Sequence, residues 1–211
     1  MSAPRAFTQP LGEQTYRIAH WTGSSDQTIV GLHGFTGAGT DFAPLASRLK
    51  ASLYAPDLLG HAGSEAPRTP EPYAFDRQAS TVPALVRTLG LSKPVLLGYS
   101  FGGRLALGAL TADAGAFAAA ILIGATAGLE TMADRNERAD ADRRRAATIE
   151  RDGVESFLAE WARHPVIASQ ARIDATHREE MKSARKLHSS WGLAHSLREA
   201  GTGAMPSLWD R

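Results

Sequence analysis

The chain has 211 residues, 43% hydrophobic and 21% charged, enough to bury one sizeable core with room for a small satellite. Its 23 basic and 22 acidic side chains nearly cancel to a formal +1, so no whole-molecule field recruits nucleic acid or an anionic membrane, and any preference for anions must be local. The absence of cysteine excludes disulfides, thiolate nucleophiles and cysteine-ligated metals.

Residues 1–10 lack the apolar core of a signal peptide and no apolar run reaches membrane-spanning length, so the expectation is a soluble, cytoplasmic protein without membrane insertion. Residues 15–21 read as an antiparallel edge strand. Strand-like apolar runs follow at 28–32, 52–56, 94–98 and 118–123, alternating with helix candidates at 41–49, 78–89 and 102–112. Gly90 fits the C′ position that closes the second helix. This alternation predicts an α/β fold, a mostly parallel sheet with crossover helices on both faces. Beyond residue 123 the composition turns to Ala, Glu, Asp and Arg. Residues 129–162 and 176–199 are helix-like, with a boundary at 124–128 and no further strand before Arg211. The predicted organisation is a core over 1–127, a helical lid over 128–200, and a return toward the core over 201–211.

The most informative segment is Gly98-Tyr99-Ser100-Phe101-Gly102, which leaves a strand and opens a helix. A serine on so sharp a turn needs flanking glycines, because its backbone is strained and the strand and helix approach too closely for side chains. Ser100 is the candidate catalytic residue, and the Phe101 N–H at the helix N-terminus is a candidate oxyanion donor. A second donor is expected from Phe35, in the turn His33-Gly34-Phe35 after an earlier strand, with His33 given a loop-shaping role. Asp57 and His61, in Asp57-Leu-Leu-Gly-His-Ala-Gly-Ser64, precede Ser100, whereas the triad of this fold runs serine, acid, histidine. The segment resembles the Asp-x-x-Gly-His-Gly-x-Ser turn common to α/β-hydrolases, with Ala62 in place of the glycine, and reads as a hydrogen-bonded turn.

Taken with Gly201-Thr-Gly-Ala-Met-Pro-Ser-Leu-Trp209, these segments resemble the 2-succinyl-6-hydroxy-2,4-cyclohexadiene-1-carboxylate synthase family of the α/β-hydrolase superfamily. The resemblance covers nearly the whole chain. It implies a carbon–oxygen lyase of menaquinone (vitamin K2) biosynthesis that eliminates pyruvate from a cyclohexene intermediate without cofactor or metal. Its partner would be a small-molecule polycarboxylate, and nothing in the sequence fixes an oligomeric state.

Such a substrate calls for fixed cations, and arginine supplies a planar bidentate fork. Arg104 lies one helical turn after Ser100. Arg138, in the charge-mixed stretch 134–145, matches a lid arginine of the family, against the blander reading of a solvated helix face. Trp161 and Arg185 fall where the family places pocket residues, although Trp161 could simply pack the lid. Tyr99 could present its hydroxyl to substrate or pack against the loop.

The resemblance further implies an acid and a histidine from segments beyond Trp209, so the sheet is expected to lack its last two strands and the chain to be C-terminally truncated. His164, His177, His188 and His195 sit in or beside helix candidates and are not assigned as the base. A serine without a base is a poor nucleophile, so the 211 residues alone are expected to be nearly inactive. The strand at 118–123 would be an exposed apolar edge prone to aggregation or partial disorder. Two alternatives keep the fold: a hydrolase of small esters or C–C bonds, disfavoured by Arg104 and the terminal Gly-Thr-Gly, and a non-catalytic binding relative, disfavoured by the intact serine turn.

Overall fold

A computed structural model describes residues 3–211. Its centre is a six-stranded mixed sheet in the order β1-β2-β4-β3-β5-β6. The strands are β1 (Arg5–Leu11), β2 (Gln14–Trp21), β3 (Thr28–Leu32), β4 (Ser52–Pro56), β5 (Val95–Tyr99) and β6 (Ala119–Ile123). β3 pairs in parallel with β4 and β5, and β5 with β6, whereas β2 runs antiparallel to both β1 and β4.

The expectation of an edge strand at 15–21 is corrected here: β1 lies outside β2 and takes the edge. β1 carries Thr8, Gln9 and Pro10 and stays largely exposed, so it presents no apolar run for a sequence reading to find. A two-residue connection, Gly12-Glu13, joins the pair, and Gly12 adopts φ +62°.

The helix expected at 41–49 is also corrected. It is a 3₁₀ turn, Gly39–Phe42, followed by one short turn of α-helix, α1 (Ala43–Ala46). Pro44 has no N–H to extend a longer helical ladder and is tolerated because it sits in the first turn. α2 (Phe75–Thr88) and α3 (Phe101–Asp113) are the crossover helices, and Gly90, with φ +64°, follows α2 as expected. Phe75, Ala79, Val82 and Val86 of α2 meet Leu105, Ala106 and Ala109 of α3 over Val30, Leu32 and Leu96 of the sheet.

The remaining helices are α4 (Met132–Trp161), α5 (Pro165–Ala168), α6 (Ala175–Arg185) and α7 (Ser190–Ala200). α4 breaks at Gly153, whose φ 81°, ψ 165° is non-helical. The stretch expected as one helix over 176–199 is two. Ser189 caps the second by accepting from the Gly192 N–H, and Asp174 caps the first through the Thr176 and His177 N–H groups. Ala146, Ile149 and Phe157 of α4 pack on Leu193, Ala194 and Leu197 of α7. The last residues lie against the core. Met205 and Leu208 are buried in it, the Leu208 N–H donates to Ala127 O, and Trp209 Nε1 donates to Gly128 O. No helix among the described residues is long and apolar enough to cross a membrane.

Candidate active site

β5 delivers Tyr99, and α3 starts at Phe101, so Ser100 must turn the chain within one residue. Its φ 52°, ψ −111° lies in the left-handed half of backbone space, costly for any side chain-bearing residue. The glycines on either side permit this. A Cβ on Gly98 would stand 2.6 Å from Gly103 Cα, and one on Gly102 would overlap Leu32 O. Two backbone bonds hold the turn, Ser100 N–H to Ile123 O at 2.8 Å and Gly102 N–H to His33 O at 3.0 Å. The serine hydroxyl does not cap α3.

The second loop faces the first. A Cβ on Gly34 would be 3.5 Å from Ser100 Cβ, so the His33-Gly34-Phe35 turn lies against the serine. The N–H groups of Phe35 and Phe101 donate to no acceptor among the described residues. Two free donors beside a strained serine can meet a developing negative charge.

His33 is fully enclosed. Its Nε2 accepts from the Leu58 N–H at 2.9 Å, so its Nδ1 carries the proton and donates to Gly34 O at 2.8 Å. Burial pushes its pKa down, and the ring is a neutral loop brace, as expected. Asp57 likewise serves a turn, accepting from the Gly39 and Gly63 N–H groups and from Arg17. Ala62 takes φ 42° where a glycine would be relaxed.

His188 was not singled out by sequence for this site, yet it bridges both turns. Its Nδ1 accepts from the Ala62 N–H at 2.8 Å and its Nε2 donates to Thr36 O at 3.0 Å. His61 lies among His33, His188, Phe35 and Phe101, with ring centroids 5.2 to 5.9 Å away. No signal in the sequence marks His188, because its partners are backbone groups more than a hundred residues away.

Arg104 is 9% exposed, donates from Nη1 to Ala200 O at 2.8 Å and lies over the Phe101 ring. Burial lowers its pKa to about 10, which leaves it charged at neutral pH. Arg138 spends its Nε on the Asp142 carboxylate, at 3.0 and 3.1 Å. Trp161 stacks on Phe157 and His164 and meets Phe35 edge-on, while its indole N–H is buried without a partner among the described residues. Arg185 donates to Thr36 O and Gln170 Oε1. Arg185 and the half-exposed Tyr99 both line a groove of about 520 Å³ beside Phe35.

Ser100, Phe35, Phe101 and Tyr99 are therefore gathered at one point. Arg104 and Trp161 touch the two phenylalanines and Arg185 holds the residue after Phe35, whereas Arg138 bonds Asp142 and reaches this group only through its charge on Arg104. None of His164, His177, His188 and His195 hydrogen-bonds Ser100; His177 faces Glu180 and His195 meets Arg68 O.

The profile of the alpha/beta hydrolase family matches residues 29–208. A putative 2-succinyl-6-hydroxy-2,4-cyclohexadiene-1-carboxylate synthase of Bacillus subtilis (strain 168) is 38% identical over 197 residues, covering 93% of this chain and 72% of its own length. The synthase of Serratia proteamaculans (strain 568) is 29% identical over 182 residues, covering 85% and 69%. Among solved structures, MenH from S. aureus superposes with a TM-score of 0.80 at 25% identity, covering 91% of this chain and 73% of that one. E-2-(Acetamidomethylene)succinate hydrolase, at 22% identity and TM-score 0.69, shares the fold. The chain belongs to the alpha/beta hydrolase family and, within it, to the 2-succinyl-6-hydroxy-2,4-cyclohexadiene-1-carboxylate synthases.

Proposed function

We propose that this protein is the carbon–oxygen lyase of menaquinone biosynthesis that eliminates pyruvate from 2-succinyl-5-enolpyruvyl-6-hydroxy-3-cyclohexene-1-carboxylate, with Ser100 at the reacting centre. The observation that carries this is the strained Ser100 turn with two unspent N–H donors, in a chain 38% identical to a relative bearing that synthase's name. In the reaction a ring proton leaves to a base, the carbon–oxygen bond to the enolpyruvyl group breaks, and a second ring double bond forms. Negative charge builds on the oxygen conjugated with the lost proton. The Phe35 and Phe101 N–H groups receive that charge, and Arg104, Arg138 and Arg185 attract the carboxylates. Trp161 and Tyr99 contribute polar tips at the substrate's edge, residues 128–200 form the lid, and the compartment is cytoplasmic. A base must pair with Ser100 for full rate. No histidine does so among the described residues, so the 211 residues alone are expected to run on the order of 10⁶-fold below a relative whose serine has such a base.

The test is pyruvate release, coupled to lactate dehydrogenase, from this chain and from one extended by the C-terminal segment of the Bacillus subtilis relative. Release by the extended chain, abolished by Ser100→Ala, is the expected result. Release that survives Ser100→Ala would overturn the assignment.

A further inference from the structure

Asp142 belongs to none of the motifs above, and its surroundings are unusual for a residue of so polar a helix. Asp142 is 1% exposed. It accepts from Arg138 Nε through both oxygens and from Arg145 Nη1 at 3.2 Å. A Cβ on Gly201 would lie 2.5 Å from Asp142 Oδ2, so the carboxylate is pressed against the backbone of the Gly201-Thr-Gly203 turn. Gly203 allows the same approach lower on α4, where a Cβ would overlap the Ala139 backbone nitrogen. One residue before that turn, Ala200 O holds Arg104.

The turn after α7 therefore backs two arginines at once, Arg104 through a carbonyl and Arg138 through Asp142. Arg138 and Arg145 share the one carboxylate, and Arg104 lies near enough to feel the charges of both Arg138 and Asp142. The Nη groups of Arg138, and Nε and Nη2 of Arg104, make no hydrogen bond among the described residues and remain for a ligand. An arginine held by Nε keeps its two-pronged Nη edge in a fixed direction, the geometry that a carboxylate accepts best.

We propose that Asp142 is a positioning residue, which orients Arg138 beside Arg104 so that the pair receives a carboxylate of the substrate. This rests on the lyase reading for the identity of the ligand and not for the arrangement itself. The glycines of the Gly-Thr-Gly turn acquire a reason by the same geometry: without them Asp142 could not sit under Arg138.

The experiment is titration of the named product, 2-succinyl-6-hydroxy-2,4-cyclohexadiene-1-carboxylate, and separately of succinate, into the wild-type chain and into Asp142→Asn, Arg138→Gln and the double variant. Each single change should weaken product binding about 10-fold, and the double variant should bind no more weakly than Arg138→Gln, because the first residue acts through the second. Wild-type affinity in Asp142→Asn, or losses that add in the double variant, would overturn the proposal. Succinate binding with the same pattern but no product binding would remove the substrate assignment and leave the Asp142 role standing; binding of neither removes both. Should Asp142→Asn fail to fold, Arg138→Lys on the solvent side decides. Loss equal to that of Arg138→Gln supports an oriented fork, and rescue by lysine shows that charge alone suffices and overturns the proposal.

Discussion

At the scale of single residues, the turns beside Ser100 are braced by three buried histidines, His33, His61 and His188, all held neutral by burial. His188 is pushed down to about 4 from an ordinary 6.5. The unfolded chain therefore takes up protons between those values while the folded chain does not. The stability associated with His188 is fully present above about pH 6.5 and drains away as pH falls toward 4. Held at about 4 instead of 6.5, this one ring is worth on the order of 3 kcal/mol across that window. Asp41 works in the opposite direction, since burial raises its pKa and protonating it relieves the folded state. Thermal midpoints followed by circular dichroism should fall between pH 7 and pH 4 for the wild type and fall less steeply for His188→Gln. Parallel curves would show that His188 does not carry the acid sensitivity.

At the scale of elements, glycines fix where strands and helices may approach. Gly102→Ala drives a Cβ into Leu32 O, and Leu32 belongs to a central strand that cannot yield, so a loss of about 2–4 kcal/mol is expected. Gly153→Ala meets nothing within 4 Å, and only its positive φ resists, so about 1–2 kcal/mol is expected there. Urea unfolding of the two variants separates crowding from backbone strain, and equal losses would deny the close approach at the serine turn. Such steric demands are also why this turn could be read from the sequence. Only glycine fits at 98 and 102, and the apolar runs of β3 and β4 gave their bounds without adjustment. β1 could not be read because half of it faces water. The break between α6 and α7 escaped notice because Lys186-Leu-His-Ser189 contains neither glycine nor proline. Asp142 stayed hidden for a related reason. In Asp-Arg-Asn-Glu-Arg-Ala-Asp-Ala-Asp-Arg-Arg-Arg, no local rule separates the one buried carboxylate from its solvated neighbours; what buries it is a turn about sixty residues onward.

At the scale of the whole molecule, the sheet ends on one side in a strand whose free edge pairs with no strand among the described residues. All five residues of β6 are exposed, with Ile121 at 49%, Leu122 at 38% and Ile123 at 50%. Ile121 and Ile123 continue into the groove lined by Ile29, Leu45, Leu49 and Leu97, so the bare edge and one apolar face form a single surface. A neutral, unpaired, apolar edge offers its backbone donors and acceptors to any other strand, and this one has no charge or proline to discourage pairing. The 211 residues are therefore expected to self-associate as concentration rises, and Leu122→Lys should suppress it. Met132→Lys, which removes an isolated exposed methionine at 64%, should not. Light scattering across a concentration series distinguishes these outcomes, and a wild-type chain that stays monomeric throughout would refute the argument. The consequence reaches the site directly. Ile123 O is the acceptor that holds the Ser100 N–H, so any partner that seats on β6 and steadies its end also steadies the serine turn, and fraying of β6 loosens it.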